Sequence, residues 1–265
     1  MRLPSAFCWI RFLAACCFLT ACGTTQSDIT LTPQKLPSSQ PSEAAQAASI
    51  SDENTLDMDW TERSITSEEL LEISRKDPSL IFTVCKEILS RLNVRAPYHI
   101  SEDIRSGRKL KVPVDFAAYK DWTPLPQTLS NPVNLSKFIL VTKDVAFLGW
   151  YEGGKLKGDA PVCLGKPGET TESGLFKVLE KDADHHSRSY RNDYGKPAWM
   201  PWALRIYDHV WIHAGDITSA YCSHGCLILP LDVAEKLYNW AEPGTAVLIL
   251  ESLKDLEKGV LKVEG

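Results

Sequence analysis

Cys226, in Ser223-His224-Gly225-Cys226, and His213, thirteen residues before it, are the pair of side chains best suited to covalent chemistry. A thiol becomes a useful nucleophile when an imidazole or converging backbone amides stabilise its thiolate. His213 ends an apolar, strand-like run and meets Ala214-Gly215, which sets a base at the rim of a sheet, where the Ala214 carbonyl or one nearby would fix its tautomer. Gly225 permits a tight approach and helps aim backbone N–H groups at a developing oxyanion. The segment also admits a metal reading. Cys222, His224 and Cys226 alternate, so in a strand they would face one way and, with His213, complete a four-ligand zinc set. The paired cysteines share their loop with a histidine, unlike the usual zinc-knuckle spacing. The nucleophile reading is therefore preferred, with no metal or other cofactor expected.

The N-terminus sets where such chemistry happens. Arg2 and Arg11 are the only charges before Cys22, and the ten apolar residues Phe12 to Ala21 are too short to span a bilayer permanently. The run ends in Leu19-Thr20-Ala21-Cys22, which resembles the bacterial lipobox. That resemblance implies cleavage before Cys22 and lipid on the new terminal cysteine, a stable anchor if several acyl chains are attached. Gly23 follows where Asp would mark inner-membrane retention, so the expected location is the outer membrane, facing the periplasm. Loss of residues 1–21 leaves 27 basic and 34 acidic side chains, a net charge near −7. This balance argues against a nucleic-acid partner and against a polybasic grip on anionic lipid.

Of eight cysteines, Cys8, Cys16 and Cys17 leave with the signal and Cys22 is lipidated. Cys85, Cys163, Cys222 and Cys226 remain in an oxidising space. If Cys226 stays a thiol, at most one structural disulfide forms among the other three, and spacing does not choose the pair.

Residues 22–56, rich in Ser, Thr, Gln, Pro and Ala, read as a flexible tether. Residues 57–135 read as a helical and irregular accessory region. Apolar residues from Leu70 to Leu89 recur at helical intervals over Thr66–Leu92, with Asp77-Pro78 dividing two helices. Residues 93–135 carry five prolines and are expected to be irregular. From 136 to 252 the character is mainly β, with strand-like runs at 138–142, 145–151, 160–164, 174–179, 204–207, 210–213 and 246–250. Short runs punctuated by glycine and proline favour a sandwich or curled sheet. One helix interrupts them, with Asp232-Val-Ala-Glu235 fitting a capping box. Residues 253–265 are left as a tail.

Residues 136–251 resemble the L,D-transpeptidase catalytic domain, also called YkuD-like. His213 through Ser223-His224-Gly225-Cys226 is similar to the family's histidine and Ser-His-Gly-Cys signature. Met200-Pro201-Trp202 is similar to a Met-Pro-aromatic element of one branch, and Thr171-Glu-Ser-Gly174-Leu-Phe176 to a family hairpin, with Glu172 where proline is usual. Leu231–Tyr238 and Gly244–Val247 resemble its closing helix and strand. The resemblance implies a β-sandwich-like domain acting on peptidoglycan stem peptides. Cys226 would be the nucleophile and His213 the general base, with Ala214 orienting His213. Ser223 and His224 would support the site, and the Gly225 and Cys226 amides would form the oxyanion hole. A tetrapeptide donor would lose its terminal D-alanine and pass its acyl group to an amine acceptor. Water as acceptor would make a carboxypeptidase or endopeptidase, and loss of turnover a wall-binding lipoprotein.

The family commonly has arginine two residues after the nucleophile, where this chain has Ile228. Isoleucine cannot replace planar, multi-donor carboxylate recognition. Arg205 or Arg188 would have to bring charge from elsewhere, and Arg205 and Trp202 are the candidate substrate contacts. Trp199, Trp202 and Trp211 read as core and rim aromatics rather than a sugar platform, and His185-His186 as an exposed loop that flaps over the cleft. Cys222 would pair either reversibly with Cys226 or structurally with Cys163.

Overall fold

The computed structural model describes residues 59–129, 136–192 and 194–257. The expected signal segment, the lipidation site at Cys22 and the tether lie outside the described residues. Among those described, no helix is long and apolar enough to cross a membrane.

Residues 59–129 build a core of their own. It is made by β1 (Trp60–Arg63), α1 (Ser67–Lys76), α2 (Phe82–Asn93), α3 (Pro97–Ser106) and β2 (Leu110–Pro113). Thr66 caps α1, its hydroxyl accepting from the Glu69 N–H at 3.2 Å. Asp77 Oδ1 then accepts from the Ser79 N–H at 2.8 Å, turning the chain at Pro78 into α2 as the sequence predicts. Leu70, Leu80, Cys85, Leu89, Ile100 and Val112 fill the interior. Each such side chain contributes about 1.5–3 kcal/mol relative to exposure. The expectation of irregular structure from residue 93 is corrected here. Pro97 opens α3 at its first turn, where a missing N–H is harmless, and β2 pairs antiparallel with β1.

The remaining residues are mainly β, in two open sheets packed face to face. The strands are β3 (Lys137–Thr142), β4 (Phe147–Glu152), β5 (Lys155–Pro161), β6 (Leu164–Gly165), β7 (Gly174–Lys177), β8 (Glu180–Arg191), β9 (Pro197–Tyr207), β10 (Val210–Ala214), β11 (Tyr221–Ser223), β12 (Leu227–Leu229) and β13 (Ala246–Leu250). One sheet runs β5-β4-β3-β13-β7, the other β12-β10-β9-β8, and β6 and β11 form a short parallel pair. Ile139, Leu148 and Ile249 meet Leu204, Ile212 and Leu227 in the shared core. Helix α4 (Leu231–Trp240) closes it through Ala234 and Leu237, and α5 (Lys254–Glu257) follows β13.

Two local expectations fail. Asp232 does not cap α4; Pro230 occupies the cap and no side chain caps the first turn. His185-His186 is not a loop, because both residues lie inside β8, paired with Met200 and Trp199 of β9. The strand is polar because most of its side chains face solvent while its backbone is satisfied by β9.

Candidate active site

Strands β10 and β12 run parallel, with Ile212 opposite Leu227 and His213 opposite Ile228. Ile212, Leu227 and Leu229 point into the core, so alternation turns Trp211, His213, Cys226 and Ile228 to the other face. There Cys226 packs against a small cluster of Met200, Ala203 and Trp211. Met200 and Ala203 share that face although three positions apart, because Trp202 between them adopts φ 57°. A left-handed tryptophan is strained, and it shifts the strand's alternation at this point.

His213 is buried, and its Nδ1 lies 2.8 Å from the Ala214 carbonyl oxygen. A carbonyl only accepts, so Nδ1 carries the proton and Nε2 presents a lone pair. Burial pulls the His213 pKa down to about 4, opposed by the Ala214 hydrogen bond and reinforced by the charge of His185. Burial also pushes the Cys226 thiol up, partly offset by the Trp211 backbone N–H. Burial therefore favours the neutral form of both the Cys226 thiol and the His213 imidazole. The Cys226 thiol meets the His209 carbonyl at 3.9 Å, and among the described residues no hydrogen bond joins it to His213.

The turn that presents Cys226 is tightly held. Ser223 Oγ accepts from the Gly225 N–H at 3.1 Å and donates to the Cys226 carbonyl at 2.6 Å. The Gly225 amide is thus engaged in the turn. Gly225 needs its φ of 112°, which side chains rarely adopt. Its carbonyl accepts from the buried Thr171 hydroxyl at 2.9 Å, which in turn accepts from the Gly165 N–H at 2.9 Å. A Cβ at Gly165 would collide with the Glu169 carbonyl and press on the Gly225 Cα, so this close approach requires glycine at 165.

Cys222 forms a disulfide with Cys163, which joins the loop before Cys226 to the chain entering β6. That selects one of the two pairings left open by the sequence and removes Cys222 as a thiolate ligand for zinc. Moreover, β11 ends at Ser223, so Cys222, His224 and Cys226 share no strand. Among the described residues no group of His, Cys, Asp and Glu is arranged to hold a metal.

The other candidates are placed as follows. His224 stacks on Tyr190 of β8 at 4.3 Å, with Nε2 3.7 Å from Glu169, and joins the β8–β9 hairpin to the turn that carries Cys226. The Trp202 ring packs on Tyr238 of α4 at 5.4 Å, with the main core rather than with the Cys226 cluster. Arg205 Nε donates to Glu180 at 2.9 Å. Sequence reading missed the positions of Thr171, Tyr207 and His185. Tyr207 accepts from the Glu172 N–H at 2.9 Å, and burial pushes its hydroxyl up to about 12. Thr171 carried a signal in its hairpin motif; His185 sat in a polar run that gave none.

The family model for the L,D-transpeptidase catalytic domain, YkuD, matches residues 136–249, the span that carries this whole constellation. Residues 136–249 are an L,D-transpeptidase catalytic domain. Solved structures similar to the chain include an L,D-transpeptidase from Mycobacterium smegmatis, 22% identical with a TM-score of 0.39 over 43% of this chain and 58% of that one. Another is an L,D-transpeptidase from Stackebrandtia nassauensis, 23% identical with a TM-score of 0.41 over 51% of this chain and 62% of that one. L,D-transpeptidase 3 from Mycobacterium tuberculosis is 20% identical, with a TM-score of 0.40 over 44% of this chain and 61% of that one. This chain thus spans less than two thirds of the length of these relatives. Among curated protein sequences none matches. The assignment of the transpeptidase domain rests on the family match.

Proposed function

We propose that the transpeptidase domain forms a thioester between Cys226 and a peptidoglycan stem tetrapeptide, then passes the acyl group to an amine. The observation that carries this is the His213 tautomer, with Nδ1 fixed on the Ala214 carbonyl and Nε2 free to take a proton on the face occupied by Cys226. The thiol proton moves to Nε2 as sulfur attacks the carbonyl carbon of the donor's third residue. The Cys226 amide receives the developing oxyanion. The C–N bond breaks, and the imidazolium returns the proton to the leaving D-alanine amine. An acceptor amine then attacks the thioester, giving up its proton to Nε2, and the thiolate departs and is reprotonated.

A neutral resting pair requires the donor to trigger proton transfer, which keeps the thiol poorly reactive until a substrate is aligned. A shift of the thiol from the His209 carbonyl towards His213 would complete the geometry, since catalytic hydrogen bonds often tighten only in the complex. The lipobox-like Leu19-Thr20-Ala21-Cys22, followed by Gly23 where Asp would mark inner-membrane retention, supports a lipid-anchored protein facing the periplasm from the outer membrane. Incubation with tetrapeptide-containing wall fragments tests the reaction. D-alanine release with cross-linked product supports transfer. Tripeptide without cross-links would make the same site a hydrolase, and unchanged fragments would leave only a wall-binding module.

A further inference from the structure

Trp60 and Trp199 are the exposed tryptophans among the described residues, at 42% and 58%. Lys111 Nζ lies 4.8 Å over the Trp60 ring, whereas no cation and no second ring covers Trp199 among the described residues. Sequence reading groups Trp199 with core and rim aromatics. Its neighbour Met200 takes the inward position, so alternation along β9 turns the indole outward. The ring is nevertheless held, because its Nε1–H donates to Asp184 Oδ1 of β8 at 2.6 Å. An edge tied in this way leaves the flat apolar face in solvent and lowers the ordering cost for a ligand that stacks on it.

Polar groups flank that face. His186 pairs with Trp199 across the two strands, and its Nδ1 lies 2.8 Å from the Asp184 carbonyl oxygen. Nδ1 therefore donates, and Nε2 is without a partner among the described residues. Exposure alternates along β8, with Asp184, His186 and Arg188 outward and His185 and Ser187 half-buried, and Arg188 has no ion pair or hydrogen bond among the described residues. A bare aromatic face beside a carboxylate oxygen, an imidazole nitrogen and a guanidinium matches a pyranose, whose C–H face stacks while its hydroxyls both donate and accept. A nucleobase would also stack, but its phosphates would meet Asp184 and an acidic chain. An apolar peptide would bury the flanking polar groups without partners. Stem peptides hang from a chain of such pyranoses. We propose that the outward face of β8 and β9, centred on Trp199, binds the glycan strand of peptidoglycan. Met200 packs with Cys226 on the other face of β9, so the glycan grips the protein without entering the cleft. That this glycan is the wall's rests on the transpeptidase reading above.

The test titrates peptide-free glycan strands from wall digests into the mature chain by calorimetry, and assays tetrapeptides either free or still attached to glycan. Wild type should bind the strands saturably, and Trp199→Ala should weaken that binding about tenfold. The same variant should lower kcat/KM for the glycan-linked donor while leaving turnover of free tetrapeptide unchanged. Arg188→Ala should weaken strand binding in the same direction and serves if Trp199→Ala does not fold. Strand binding equal to wild type in either folded variant overturns the proposal. So does a loss on free tetrapeptide as large as that on the glycan-linked donor. Absence of strand binding by wild type overturns it too, while turnover of free tetrapeptide would leave the transpeptidase reading intact. Strand binding that weakens as predicted, without turnover of any donor, would support the site and overturn the transpeptidase reading alone.

Discussion

The Ala96 N–H donates to the Ile217 carbonyl at 2.8 Å, tying the start of α3 to the loop that connects His213 with Cys226. Arg95 adds a hydrogen bond to the Thr218 carbonyl, and His99 Nε2 lies 3.0 Å from both carboxylate oxygens of Asp216. The helical region therefore holds the loop from outside while Cys163 holds it from the sheet. Arg95 is itself anchored by Asp103, with Nη2 donating to Oδ1 at 3.1 Å.

Arg95→Ala should therefore act at a distance on the transpeptidase domain. It strands the buried Asp103 carboxylate, a loss of about 3 kcal/mol, the lower end of the range for a broken buried pair. The lower end applies because Arg108 also approaches Asp103, at 3.5 Å. Urea denaturation should show the loss, and kcat should fall more than KM rises, since the loop aligns catalytic groups rather than binding donor.

The disulfide should matter for both stability and rate. Its closed loop spans a sequence separation of 59, for which the chain-entropy account gives up to about 4 kcal/mol. Cys163→Ser with Cys222→Ser should lower the denaturation midpoint and speed alkylation of Cys226 by iodoacetamide. Unchanged alkylation in the folded double variant would show that the bond does not position the nucleophile turn.

Thr171→Val keeps the shape of the side chain but removes the hydroxyl shared by Gly165 and Gly225. A buried amide and a buried carbonyl are left unpaired, a penalty of about 1–3 kcal/mol for each. Thermal melting should register this, together with lower kcat and little change in KM.

Acidity should disable the site through His213. Its pKa in the folded protein, about 4, is below the ordinary value of 6.5. Unfolded chain therefore binds a proton below pH 6.5 that the folded chain refuses until about pH 4. Stability is thus full above pH 6.5 and falls as pH drops through this window, by about 3 kcal/mol in total. Activity, which needs the neutral imidazole, should persist down to pH 5 and fall with an apparent pKa near 4. Denaturation at pH 7 and pH 4 should differ less in His213→Gln, and an acid limb near 6.5 in wild type would contradict the buried, neutral base.

The proposed reacting pair can be picked out in the sequence because a thiol, a glycine joint and a strand-end histidine fall within one short segment. The break between α1 and α2 is equally plain, since Pro78 forbids a continuous helix. What escapes is whatever depends on long-range pairing. Strand β8 has no apolar alternation, because its backbone is held by β9 while its side chains stay wet, so His185 reads as loop. Helix α3 hides behind Pro97, which marks a helix start as readily as a break. Trp202 looks like a site aromatic until its φ of 57° and its contact with Tyr238 turn it to the core side. The Cys163–Cys222 pair needs the register of β6 against β11, which no spacing encodes.

Intact-mass measurement of the mature chain with a stem tetrapeptide, quenched in acid before an acceptor is added, tests the central claim most directly. The account predicts an adduct of donor mass less the released alanine, lost on adding an amine acceptor and absent from Cys226→Ala. No adduct on wild type, or the same adduct on Cys226→Ala, would contradict it.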